Sequence, residues 1–220
     1  VGALSIHEIT HEMRGNLDFL ETDAAGVLTR QRSMRAVFEY SWMLLSEEER
    51  AAFIRIAVFR GRFTRQAGQT VTGATMRQLM SLANKSLLWR DADTGVYQIH
   101  EVSRQFAEEK LIQSGEAELV RDAHCRYYLQ TLADVRRDLE GRRQLQVLDE
   151  IEADLENFRS GWLWAARRSL YDPMHNCIYT FGLYFLLRGE LMAGVDLFTE
   201  TVKWLHTQPA TPLTPSSFSV

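Results

Sequence analysis

An apolar period of about 3.6 residues, the repeat that lines one face of an α-helix, runs through nearly all of the 220-residue chain and is interrupted once, between residues 86 and 99. A chain patterned this way has to bury helical faces against one another. The expected fold class is therefore mainly α, with one small β element set among the helices. Leu17 and Leu20 close a first helical segment, and Gly26 breaks it. Met34, Val37, Phe38, Ser41, Trp42 and Leu45 then recur at helical spacing.

Start and stop signals divide the next stretch. Ser46-Glu-Glu-Glu49 is a capping box: the Ser46 hydroxyl accepts from the backbone at Glu49, and Glu49 reaches back. It opens a helix with Phe53, Ile56 and Ala57 on one face. Arg60–Thr64 reads as a turn, with Thr64 the N-cap of a short helix that Gly73 ends. Met76, Leu79, Met80 and Ala83 mark a further helix closing at Asn84.

Here the period changes. Ser86–Arg90 and Val96–Ile99 read as short strands, joined by the turn residues Asp91-Ala-Asp-Thr-Gly95. Helices followed by a two-stranded hairpin predict a winged helix. Beyond His100 the chain reads as helical to about residue 206. Leu148, Ile151, Leu155, Phe158, Trp162 and Ala165 form one apolar stripe. Leu191, Val195, Phe198, Val202 and Leu205 form another, and the break at Arg188-Gly-Glu190 makes an αα-hairpin. Pro209, Pro212 and Pro215 among Ser and Thr predict an extended tail.

The composition narrows the class. Apolar residues are 45% and charged residues 25%, and the net charge of −4 excludes a general polycation. Residues 30–110 hold thirteen Lys/Arg against nine Asp/Glu, between acidic flanks. Cys125 and Cys177 stand in no metal-ligand spacing, which fits a reducing compartment. The start of the chain lacks the pattern of a secretory leader, and the run Cys177–Leu187 is too short to span a bilayer. The expectation is a cytoplasmic protein with no membrane partner.

Residues 31–112 resemble a known family through several motifs in one order. These are Arg32–Arg50 (RSMRAVFEYSWMLLSEEER), Val58-Phe-Arg-Gly61, Leu82–Leu88 and Tyr97–Ala107. They resemble the segment that follows the ATPase core in bacterial STAND proteins, relatives of NB-ARC and apoptotic ATPases. Glu156-Asn157-Phe-Arg159 with Trp162 resembles the helix leading into that family's repeat array. Residues 178–206 resemble one tetratricopeptide unit, with Gly182, Phe185, Gly189, Gly194 and Phe198 at its spacing. The resemblance implies that residues 1–30 end an ATPase helical domain, 31–113 form a winged helix, 114–206 a tetratricopeptide-like domain and 207–220 a flexible tail. It implies a regulatory, protein-interacting role. The partners would be the nucleotide-binding core of the parent chain and a protein or small-molecule inducer at the helical array. ADP or ATP would belong to that core. No P-loop lies in this sequence, because none of Lys85, Lys110 and Lys203 follows a glycine. No catalytic residue and no cofactor of the chain's own are expected.

Three constellations carry possible chemistry. His100 stands where the family has a histidine that reaches the phosphates of ADP; a locally bonded structural histidine is the plainer reading. His7-Glu8-Ile9-Thr10-His11 spells HExxH, whose two histidines share one helix face and suit zinc. Charged Glu12 follows and no third histidine does, so adventitious metal at His7 and His11 is expected rather than a peptidase. The helix around residues 75–84 would be the recognition helix if the unit bound DNA, with Arg77, Gln78, Asn84 and Lys85 as contacts. So few cations lead us to expect only weak binding, with a DNA-binding winged-helix transcription factor as the rival reading. The aromatics Tyr127, Tyr128, Trp162 and Trp164 fit a core better than a stacking surface.

Overall fold

A computed structural model describes residues 38–207 of the chain. The predicted segments around Leu17 and Leu20, the HExxH string and the proline-rich tail lie outside the described residues. Residues 38–43 are helical. Ser46 then builds the expected capping box, with Glu49 N–H donating to Ser46 Oγ (3.2 Å) and Ser46 N–H to Glu49 Oε2 (2.8 Å). It starts α1 (Glu47–Ile56), which buries Ala52, Phe53, Ile54 and Ile56.

The short strand β1 (Arg62–Phe63) follows, in the stretch that sequence alone reads as a turn. It pairs antiparallel with β3 (Tyr97–Gln98), which also pairs with β2 (Trp89–Arg90). The sheet is thus three-stranded, in the order β1-β3-β2, not a two-stranded hairpin. Phe63 is fully buried and stacks on Phe59 and Tyr97, and that distant contact holds the extra strand. Ser86–Leu88 is also not strand. Leu87 and Leu88 donate to Leu82 O, and Ser86 takes a positive φ of 58°, so this segment wraps the end of a helix.

Between the strands lie α2 (Arg65–Thr72), capped by Thr64 as expected, and α3 (Met76–Asn84), which Thr75 caps. Gly73 ends α2 at φ 70°, a left-handed conformation that glycine adopts without steric cost. Three residues therefore separate the two helices, the spacing of a helix-turn-helix.

The rest is helical: α4 (Glu101–Gln113), α5 (Ala117–Asp134), α6 (Arg136–Leu139), α7 (Gln144–Ala153), α8 (Leu155–Arg167), α9 (Tyr171–Arg188) and α10 (Leu191–Thr207). The central helix is α5. It packs on α2 and α4 toward the N-terminal side and on α8 and α9 toward the C-terminal side. Val120, His124, Cys125, Tyr128, Leu129 and Leu132 form its buried face. The buried apolar side chains of the described residues make one cluster running from Leu45 to Leu197.

Two helical expectations need correction. The stripe from Leu148 to Ala165 is broken at Asp154, which separates α7 from α8, although most of its residues remain buried. In α10 the predicted stripe is on the wrong face. Leu191, Val195 and Val202 are exposed, whereas Leu197 and Thr201 are buried and Phe198 is half-buried. The cause is the contact with α9. Gly194 lies so close to Phe185 that a Cβ there would stand 3.0 Å from the ring, and this approach fixes the rotation of the helix. Gly182, expected to be small for packing, faces open space. Trp162 and Tyr128 are buried while Tyr127 and Trp164 are half-buried, so the aromatics do form core. No helix among the described residues is long and apolar enough to cross a membrane.

Candidate functional site

The four candidate contacts on and beside α3 have different fates. Gln78 closes the capping box, donating its N–H to Thr75 Oγ1 (3.3 Å) and accepting from Thr75 N–H (2.7 Å). Its amide also reaches Glu48 O (3.4 Å). Lys85 is held by Glu49 at 2.6 Å and donates to Leu44 O. Lys85 and the Ser81 hydroxyl together hold the Glu49 carboxyl down at about 2, so this carboxylate stays ionised across the ordinary pH range. Arg77 and Asn84 remain exposed.

His100 is exposed at the N-cap of α4, and its side chain caps nothing. It shares an open groove with Met80, Asn84, Trp89 and Arg90. The fold thus brings His100 and Asn84 together and leaves Arg77 and Lys85 outside that groove. Trp89 is 46% exposed there, a large apolar surface beside a histidine and an arginine. His7 and His11 lie outside the described residues. Among the described residues no cluster of His, Cys, Asp or Glu could hold a metal. Burial pushes both thiols, Cys125 and Cys177, up to about 12, which suits core residues rather than nucleophiles.

The surroundings of α3 are electrically mixed. Arg65 and Arg90 are exposed near it, yet Glu47 and Glu48 stand at the start of the packed α1 and Asp93 at the tip of the β2–β3 turn. Asp91 is occupied locally, accepting from the N–H groups of Asp93 (2.8 Å) and Thr94 (2.9 Å).

Sequence reasoning missed a buried polar joint between the two halves of the described residues. Asn157 on α8 is fully buried and clasps the chain where it enters β1. Its Oδ1 accepts from Arg60 N–H (2.7 Å) and its Nδ2 donates to Arg62 O (2.7 Å). That assignment makes His124 Nε2 a donor to the same Oδ1 (3.2 Å), because an amide oxygen can only accept. Burial lowers His124 to about 4, so it is the neutral form that sits here. The Glu156–Arg159 motif was the one sequence signal for this joint; no helical period distinguishes a clasping asparagine from a surface one.

No family model and no solved structure matches the chain. Proteins named as HTH-type transcriptional regulators in Mycobacterium tuberculosis and Mycobacterium bovis are each 33% identical to it over 144 residues. The alignment covers 61% of this chain and 16% of each relative, so the chain spans a small part of the length of the relatives that it matches.

Proposed function

We propose that this chain is a regulatory, non-catalytic segment of a larger HTH-type transcriptional regulator of STAND type, a winged helix rigidly joined to a tetratricopeptide-like array. The helix-turn-helix of α2 and α3, the three-stranded wing and the partial likeness to HTH-type regulators support this reading. The observation that carries the regulatory role is the state of the would-be recognition helix. Lys85 is bound to Glu49, Gln78 is bound within its own cap, and acids of α1 stand alongside. A base-reading helix presents several free donors to groove edges and phosphates. In this reading the winged helix faces protein, namely the nucleotide-binding core of the parent. The exposed His100 imidazole reaches an ADP phosphate held there, and the array receives an inducer. Exposed Leu191, Met192 and Val195 on α10 suit a further protein surface.

The second reading is a DNA-binding winged helix. It is favoured by the name of the relatives and by Arg65, Arg77 and Arg90, which form no ion pair among the described residues. Fluorescence anisotropy with randomised and selected duplexes, at low and physiological salt, separates the two. Few phosphate contacts give a shallow salt slope and weak affinity. Nanomolar, sequence-selective binding at physiological salt, lost in Arg77→Ala, would establish the second reading and reject the first.

A further inference from the structure

A cleft of about 440 Å³ opens where the winged half meets the helical array, well away from α3. That volume suits a small-molecule site. Val58, Leu111 and Leu163 give it an apolar lining. Its polar wall holds more positive charge than it can pair internally. Glu108 on α4 takes Arg104 on one oxygen, and both Arg121 (3.0 Å) and Arg60 (3.5 Å) on the other. Arg104 is buried and has Glu101 as a second partner (2.8 Å), so Arg60 and Arg121 share one carboxylate oxygen between them. Burial and the neighbouring Arg104 guanidinium pull Arg60 below the usual arginine range. The Arg159 side chain on α8 also lines the cleft and makes no hydrogen bond or ion pair with any described residue. Arg167 and Glu156 complete the rim. Arg60, Arg121 and Arg159 therefore face a half-enclosed space with a single carboxylate oxygen shared by the first two.

Partly dehydrated guanidinium groups at close quarters repel one another, and planar oxyanions match their donor geometry. The Trp164 ring offers no stacking platform, because Arg121 stands 5.4 Å and Arg168 5.9 Å from its centroid. We propose that this cleft binds a small dianion, a phosphate monoester or a dicarboxylate, gripped by Arg60, Arg121 and Arg159 with its apolar part against Leu111 and Leu163. Such a ligand touches α4, α5 and α8 and the segment before β1 at once. It therefore fastens the winged half to the array and stiffens their joint. The site rests on the geometry of the junction alone, whether or not α3 meets DNA.

The test is calorimetric titration of the full chain at low ionic strength with inorganic phosphate and, separately, succinate, against a chloride control. The expected result is one saturable site for at least one probe, with a rise in melting temperature. Arg159→Ala weakens binding about tenfold or more, the loss of one charge-assisted contact. It leaves the melting temperature of the free chain unchanged, since that side chain has no partner to lose. Arg77→Ala binds as the parent does. Binding of phosphate alone assigns a monoester, and of succinate alone a dicarboxylate. No saturable binding of either probe at millimolar concentration, or an undiminished affinity in Arg159→Ala, overturns the proposal.

Discussion

His124 on α5 and Asp154 at the head of α8 are displaced by the same cause with opposite results. Burial holds His124 down at about 4 and lifts the Asp154 carboxyl to about 6. As pH falls from about 6.5, the unfolded chain protonates His124 while the folded chain refuses, so that contribution to stability is lost toward pH 4. Asp154 acts the other way. Its contribution is present below about 3.8 and is lost as pH rises toward 6, because only the folded chain keeps the proton. Between about 4 and 6 the two slopes oppose each other. Asp154→Asn is therefore expected to match the parent near pH 4 and to exceed it at pH 7, by at most ~3 kcal/mol for a shift of about two units. Its stability should then rise with pH over this window under His124, with the lowered Glu49 carboxyl adding to the rise near pH 4. Urea melts of both proteins across that range check this, and equal stability at pH 7 would show that the carboxyl is solvated.

Among the elements, the α8–α9–α10 contact depends most on aromatic packing. Trp162 is buried and meets Phe181 and Phe198 edge to face at 5.8 and 5.5 Å. Its indole N–H donates to Thr201 Oγ1 at 2.7 Å. Trp162→Ala removes the ring and leaves that hydroxyl without its donor, so a loss of about 3–5 kcal/mol is expected. Phe198→Ala should cost clearly less, since Phe198 is only half-buried. Thermal melts of the two variants give the order. A larger loss for Phe198→Ala would mean that α10 is rotated from the orientation that Gly194 imposes.

For the whole molecule, α5 belongs to both halves and Asn157 ties them together. One cooperative unfolding transition is therefore expected, with near-ultraviolet and far-ultraviolet signals melting together. Asn157→Leu keeps the volume but leaves His124 Nε2 unpaired in the interior and Arg60 N–H and Arg62 O unpaired at its partly buried edge. At about 1–3 kcal/mol for each unsatisfied buried group, the loss should reach roughly 3 kcal/mol or more. It should lower both signals together. Two separated transitions, in the parent or the variant, would show that the halves fold independently.

Local chemistry was legible from the sequence: the box at Ser46–Glu49, the Thr64 cap, the Gly73 stop and the mainly helical pattern; the like box at Thr75–Gln78 went unread. Each depends on a residue and its neighbours within about four positions, where backbone geometry dictates who meets whom. Lys85 stood among the expected DNA contacts, and no local pattern reveals that a carboxylate 36 residues away binds it. The third strand, the buried face of α10, the break at Asp154 and the cationic cleft came only with the tertiary structure. Arg60 finds Asn157 across 97 residues and Arg55 finds Glu116 across 61. Pairings at that distance leave no period in the sequence. They arise when α5 brings both halves onto one core, and burial then decides which polar groups are paired and which face the cleft.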